Sequence, residues 1–494
     1  MGDGRTARVD RPTPVTDRGG RVLVAGLSVV VLTVAILQTA VVPVLGVIAE
    51  QIGTSMVAVS WAVTANLLAA AAATPLIGRL ADLYRKKRVL LAVLIVVLIG
   101  SVLAATTTSL PLLIIARVLQ AASFALYPIS IAILREELRP DRIVPAMAVL
   151  SGTLGFGGGV GLVVVGLLMA GQADYHRVFW LTTVFTVVVL TLVVFIVPDR
   201  ARTTRGSIDW VGALGLAVGL SAVLLAVTQG TTWGWASPRT IGSFVAGLAV
   251  LVGWWQWERR CARPLVSTHM LARRTMLFTN LATIFVGMGL YFAFLGLTQF
   301  VQMSPETAGY GFGASVLQAS VIYLLPGAVT GFLIALVSGR FIDRFGARPV
   351  LIVAAFAGVA GFLLIAFAHA SPWQVILANI LANAYISLGY GALPALVVNE
   401  SQAGETGVAT GMNAIARTVG SSTAAAVVAL LLGRTTETGM PAESSFVLIF
   451  GLGAITAVLV MGLIAASKSP TPDPRRPTSH EARFESRAMN HEWG

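Results

Sequence analysis

Long apolar stretches, each ended by a short polar or basic loop, follow one another along the chain from residue 23 to residue 466. Most exceed the roughly 18 residues that a helix needs to cross the hydrocarbon core of a bilayer. The pattern predicts fourteen spans, seven of them at 23–48, 57–79, 88–106, 111–134, 143–170, 178–197 and 209–229. The other seven fall at 239–257, 276–301, 314–338, 349–368, 373–398, 407–432 and 446–466. An even number of crossings puts both ends of the chain on one side of the membrane.

Composition strengthens this reading. Of the 494 residues, 56% are hydrophobic and 11% charged, and the mean hydropathy is +0.83; a soluble domain carries roughly 25% charged residues. The expected fold class is an all-α integral membrane protein with lipid as its solvent. A net charge of +12 raises the question of nucleic acid, but a binding patch gathers its basic residues on a folded polar surface. Here they stand at the ends of apolar runs, where Lys and Arg in short loops hold those loops in the cytosol. Of the 34 Lys and Arg residues, only Arg177, Arg239 and Arg434 fall in loops of the other side, and only Arg117 and Arg417 inside predicted helices. Both termini are therefore expected in the cytoplasm, and no nucleic-acid partner is expected.

The single cysteine, Cys261, forms no intramolecular disulfide, and with five scattered histidines it offers no Cys-rich metal site. The first apolar run is longer than a signal-peptide core and is expected to stay as a span. The Pro-, Arg- and Ser-rich sequence after the last run reads as a disordered cytoplasmic tail.

A repeat organises the rest. GRLADLYRKKRVL, from Gly78 to Leu90, returns as GRFIDRFGARPVL, from Gly339 to Leu351, with Gly, Arg, Asp and the closing Val-Leu in place. Each copy is expected in a cytoplasmic loop between two helices. Parallel repeats with a substrate site between the halves are a transporter design. The expected division is a cytoplasmic segment 1–21, a six-helix bundle 22–198, two inserted helices 199–258, a second six-helix bundle with its preceding loop 259–466, and a tail 467–494.

These residues resemble the major facilitator superfamily, in particular its fourteen-helix drug:proton antiporter branch. The first loop is similar to the signature G-x-L-a-D-r-x-G-r-r through Gly78, Leu80, Asp82, Lys86 and Lys87, with Arg85 where the second Gly is usual. The run ARVLQAASFA resembles R-x-x-Q-G through Arg117 and Gln120. SIDWVGA from Ser207, WERRCARPLV from Trp257 and GVATGMNAIARTVG from Gly407 resemble segments of the fourteen-helix branch. The resemblance implies a major facilitator fold and multidrug or antibiotic efflux by alternating access, with an amphipathic small molecule as substrate. It also implies a bacterial cell membrane, the proton gradient as energy source, and neither a cofactor nor an obligatory protein partner. Two departures stand out. Gln38 occupies the position where the first helix of this branch usually carries an acid, and the antiporter motif of the fifth helix is reduced to Gly161, Leu162 and Gly166 without its proline.

Charges inside hydrocarbon cost several kcal/mol and mark function by default, so Arg117 and Arg417 are candidate cavity charges. Predicted spans hold no Asp or Glu near their middles, and Glu400, at the mouth of the twelfth, is the remaining coupling candidate. Gly78, Asp82, Lys86, Lys87, Gly339, Asp343 and Arg344 are expected to form a conformational latch. The resemblance places the partner of Asp82 at the start of helix thirteen, near Glu405 to Gly407, where a helix dipole favours an anion. Gln38, Asn66, Gln120, Tyr127, Tyr291, Gln318, Tyr323, Asn383 and Asn413 are the main cavity candidates, with Asn280, Asn379 and Tyr390 beside them; interhelical hydrogen bonds use the same residue types. Gly157, Gly161 and Gly166 read as a helix-packing or hinge surface.

Other classes lack their residues. Lys86, Lys87 and Lys468 are the only lysines and none follows a Gly, so no P-loop exists, and no H-E-x-x-H or G-x-S-x-G motif marks a hydrolase. The alternative to proton antiport is a uniporter, or a carrier of an anionic metabolite or lipid, because two buried arginines have no matching mid-helix acid.

Overall fold

The computed structural model describes residues 17–169, 174–199, 207–262, 264–401, 405–433 and 440–467. Most of the predicted N-terminal segment, the tail from 468 onward and Arg434 lie outside the described residues. Among the described residues, fourteen helices are long and apolar enough to span a membrane. They are α1 Arg18–Thr39, α2 Ala58–Leu83, α3 Lys86–Thr106, α4 Leu110–Glu137, α5 Arg142–Leu168, α6 His176–Ile196 and α7 Trp210–Trp233. The rest are α8 Pro238–Arg260, α9 Arg274–Gln302, α10 Ala319–Phe345, α11 Ala347–Phe367, α12 Pro372–Glu400, α13 Thr406–Leu432 and α14 Glu443–Ala466.

Short polar signals start these helices. Ser237 accepts from the Thr240 N–H at 3.2 Å with Pro238 in the first turn, Asp209 accepts from the Gly212 N–H at 2.9 Å, and Ser371 and Gln374 form a capping box at the head of α12. The outer surface is inverted relative to a soluble protein: Phe195 is 82% exposed and Phe367 77%, as side chains facing lipid should be.

The predicted spans end at 79 and 338, within the first two residues of one copy of the motif and just before the other, yet α2 runs on to Leu83 and α10 to Phe345. Gly78, Asp82, Gly339 and Asp343 therefore stand on helices and not in loops, a correction to the expectation. The 26 residues of α2 reach about 39 Å at 1.5 Å per residue. That overshoots a core of about 30 Å, and the polar end of α2 is buried against a neighbouring helix instead of being released into water.

Helices α1 to α6 pack among themselves, with α1 on α5 and α3 on α6, and α9 to α14 do likewise, with α9 on α13 and α11 on α12 and α14. The two groups meet along α2–α13 and α5–α10, which are equivalent pairs because α2 and α10 each carry one copy of the repeat. Helix α7 packs on both α2 and α13, and α8 packs outside it. The Trp257 indole ties this hairpin by donating to Asp209 at 2.9 Å, while Trp254 donates to Glu258 at 3.1 Å within α8. Partial burial pushes the Asp209 carboxyl up, but the Gly212 N–H, the Trp257 indole and Cys261 outweigh it and hold the carboxyl below its usual value.

Candidate functional site

Between the two groups lies a cavity of about 510 Å³, lined by α1, α2, α4, α5, α7, α9, α10, α12 and α13, within the 300–1,000 Å³ range of small-molecule sites. It extends from the middle of the bundle toward the end opposite the two termini. Its lining is mainly apolar, with amides, hydroxyls and two guanidinium groups, and among the described residues it contains no Asp or Glu.

The terminal end, where α1 begins and α14 finishes, is sealed. Asp82 is 4% exposed, and its carboxylate accepts from two consecutive N–H groups at the start of α13, Gly407 at 2.9 Å and Val408 at 3.0 Å. Its charge is answered by free helix-start donors and the positive end of the helix dipole. Glycine makes the approach possible: a Cβ on Gly78 would lie 2.8 Å from the Gly407 carbonyl oxygen. Arg135, near the end of α4, adds a second clasp, donating to the Ser401 hydroxyl at 2.8 Å, to the Ser401 carbonyl at 3.0 Å and to the Thr406 hydroxyl. On the other seam Gly339 lies against the backbone of Pro145.

The two lysines of the first copy bond within their own group. Lys86 pairs with Glu136 and Lys87 donates to the Val194 carbonyl at 2.7 Å, both inside the first group. Asp343 is exposed, whereas Asp82 is buried, and Arg344 lies over the ring of Phe345 on its own helix at 5.3 Å. The two copies of the repeat share a pattern and differ in environment. Arg135 was not singled out by its sequence, since an arginine at the end of an apolar run reads as an ordinary loop charge.

Of the predicted cavity residues, Gln38, Asn66, Tyr291 and Asn383 line the space, as do Asn379 and Tyr390. Five others do not, because local bonds hold them elsewhere. Gln120 is enclosed between Arg117 and Ser101 at 2.7 and 3.0 Å. Tyr127 is bonded to the Ser151 hydroxyl at 2.7 Å. Asn413 donates to Asn280 at 3.0 Å and to Thr283 at 2.7 Å, joining α13 to α9. Gln318 turns its side-chain oxygen back to the Ser315 N–H at 2.9 Å, and Tyr323 stacks on Phe312 at 5.4 Å. Glu400, the last residue of α12, is likewise absent from the cavity wall; its carbonyl oxygen faces Arg273 at 3.5 Å.

The glycines of α5 serve two faces. A Cβ on Gly157 would meet Ala35 Cβ at 2.8 Å and one on Gly161 would meet Thr39 Oγ1 at 2.8 Å, so these two admit α1 closely. Gly166 faces Leu317 at an ordinary 3.7 Å, while Gly155, Gly158 and Gly159 border the cavity. Helix α7, expected only as an insertion, contributes Thr228, Gln229, Thr231 and Thr232 to the wall, and Gln229 donates to Thr64 at 3.0 Å. Its sequence shows a helix that could lie anywhere; only packing on α2 and α13 brings it to the cavity.

Both buried arginines reach the cavity. Arg117 sits just before a 3₁₀ stretch, Ala121–Ala125, inside α4. It donates to Gln120 Oε1 at 2.7 Å and to the Leu37 and Ala62 carbonyls at 3.4 Å each. The guanidinium carbon of Arg417 lies over the Tyr127 ring and over the Tyr390 ring, 5.1 Å from each centroid.

A sequence profile of the Major Facilitator Superfamily matches this chain over residues 27–425 and again over 279–491. An uncharacterized MFS-type transporter of Mycobacterium tuberculosis is 32% identical over 85% of this chain; the match spans 61% of that longer protein. A uridine/deoxyuridine transporter of Lactococcus lactis is 27% identical over 72% of this chain and 74% of its own length. The tetracenomycin C resistance and export protein of Streptomyces glaucescens is 28% identical over 85% and 78%. Among solved structures, the human organic anion transporter MFSD10 superposes with a TM-score of 0.61 over 91% of this chain and 100% of that one, at 17% identity, a likeness of fold alone. Fourteen spans, a central cavity between two packed groups and the matching profile lead to one assignment: the chain belongs to the major facilitator superfamily.

Proposed function

We propose that this transporter exports amphipathic small molecules, drugs and antibiotics among them, across a bacterial cell membrane by alternating access. The observation that carries the reading is a mainly apolar cavity, studded with amides and tyrosines, that is sealed at the terminal end by Asp82 on the start of α13. A mostly apolar wall with scattered polar groups suits amphipathic substrates of varied shape. With both termini in the cytoplasm, the described conformation is closed to the cytoplasm. Rocking of one group of helices against the other, with the Asp82 bonds released, would present the same cavity inward. The similarity to an antibiotic export protein supports this direction, and the similarity to a nucleoside transporter widens the range of cargo.

Proton antiport is the proposed energy source. A second reading, uniport, is favoured by one observation: the described cavity wall contains no carboxylate to carry the proton. Drug-susceptibility measurements on cells with and without the protein should identify exported compounds. Flux of the strongest of these in proteoliposomes, with and without an imposed pH gradient, then separates the two. Acceleration by the gradient supports antiport, gradient-independent flux leaves uniport, and flux no greater than in empty liposomes for every compound would sink the export reading.

A further inference from the structure

Arg417 carries a charge that the protein leaves unanswered. It is 9% exposed, stands in the middle third of α13 and borders the cavity. Among the described residues its guanidinium has no carboxylate partner and no hydrogen-bond acceptor; its close contacts are the two tyrosine faces. Arg117, on the neighbouring helix α4, shows what a satisfied arginine looks like here, with bonds to Gln120 and two backbone carbonyls. A charge that far inside the bilayer is costly unless something compensates it, and an aromatic face does so only in part.

The arrangement is also directional. The guanidinium carbon lies over both tyrosine rings, which take none of its N–H groups as hydrogen-bond acceptors would, so those N–H groups are the part able to meet a ligand. A planar fork of N–H donors matches carboxylate, sulfonate or phosphate oxygens in a bidentate manner. Tyr127 is held in place by Ser151 at 2.7 Å, so the contact is built and not incidental. Beside it, Leu290, Tyr291, Phe294, Leu324 and Ile386 border the same cavity and form an apolar and aromatic wall.

We infer that Arg417, lying over the rings of Tyr127 and Tyr390, is an anion subsite, and that the substrates of this transporter include amphipathic monoanions with an acidic group on an aromatic or apolar body. The inference rests on the cavity being the transport pathway and deepens that reading by naming a substrate class. It also accounts for the absence of a cavity carboxylate, which would compete for Arg417 with the ligand. An anion moving outward across a membrane that is negative inside is driven by its own charge, so such cargo needs no proton carrier. Because Tyr127 lies on α4 and Arg417 and Tyr390 lie on α13 and α12, the subsite joins the two groups of helices, and an anion seated on it reports to both.

Dansyl sulfonate and dansyl amide share one ring system and differ in charge, which makes them a matched pair of probes. Binding of each to the full chain in nanodiscs, read by tryptophan-to-dansyl energy transfer after subtraction of empty discs, should favour the sulfonate at least tenfold. Arg417→Gln should weaken the sulfonate about tenfold and the amide less than twofold, and Arg417→Lys should recover part of the preference. Absence of sulfonate binding, equal binding of the two probes, or equal loss of both in Arg417→Gln would overturn the inference. If Arg417→Gln fails to fold, the wild-type preference and the Arg417→Lys measurement still decide it. Sulfonate preference without flux of any compound would remove the export reading and leave the anion subsite standing; flux without sulfonate preference would do the reverse.

Discussion

The two buried arginines make the most instructive pair in the molecule. Each sits inside a membrane span, each borders the cavity, and each is all but hidden, Arg117 at 2% and Arg417 at 9% exposure. Arg117 faces three acceptors, Gln120 and the carbonyls of Leu37 and Ala62, and Asn66 in turn donates to the Arg117 carbonyl at 2.7 Å. It ties α4 to α1 and α2. Arg417 lies over two tyrosine rings and, among the described residues, meets no hydrogen-bond acceptor. A charge in hydrocarbon is therefore not by itself a sign of substrate contact. What its donors meet decides whether it acts as a strut or as a site.

The comparison is broken or sharpened by substitution, beginning with the strut. Arg117→Met removes the donor from a buried carboxamide and two carbonyls at once. Leaving these buried neutral acceptors unpaired costs about 1–3 kcal/mol, so thermal-shift and detergent-stability measurements should show the largest loss of any variant here. Equal stability of Arg117→Met and wild type would erase the distinction between the two arginines, since Arg417→Gln is expected to melt close to wild type.

Asp82 is the negative counterpart of Arg117, a buried charge satisfied by backbone groups, but across a seam that must open. Asp82→Asn keeps the shape, can present only one acceptor oxygen to the two N–H groups and loses the attraction of the helix start, worth about 0.3–1 kcal/mol. Folding and expression should be largely retained while turnover falls severalfold, and undiminished transport would show that the seal is not part of the cycle. The smallest effect is expected at Glu400, a charge that reaches neither strut nor site. Glu400→Gln should change flux and its pH dependence less than twofold, and a shifted pH profile would make Glu400 the proton carrier that the cavity wall lacks.

Much of the fold was legible in the residues. Apolar runs of membrane-crossing length marked fourteen spans without any knowledge of packing, because the hydrocarbon core sets one length requirement for every helix. The duplicated Gly-Arg-Asp pattern marked the two equivalent helices α2 and α10. Gln38, Asn66, Tyr291 and Asn383 were recognisable as cavity candidates, yet so were Gln120 and Asn413, which prove to be held by neighbours. An amide on a spanning helix looks the same in sequence whether its partner is a ligand or another helix. Arg135 and Gln229 carried no signal, since their importance comes from Ser401, Thr406 and Thr64, residues more than a hundred positions away.

The sequence by itself determined that this chain crosses a membrane fourteen times, that its architecture is duplicated and that it carries two intramembrane arginines, because each follows from local composition and spacing. Only the tertiary structure decided that Asp82 is buried on the start of α13 while Asp343 is exposed, that α7 forms part of the cavity wall, and that, among the described residues, Arg117 is bonded to acceptors while Arg417 lies over two tyrosine rings. Those outcomes depend on which groups from distant spans come within 3 Å of one another, as the Asp82 and Gly407 pair does at 2.9 Å. Hydropathy sets how long a helix must be, and it is blind to which face meets which neighbour.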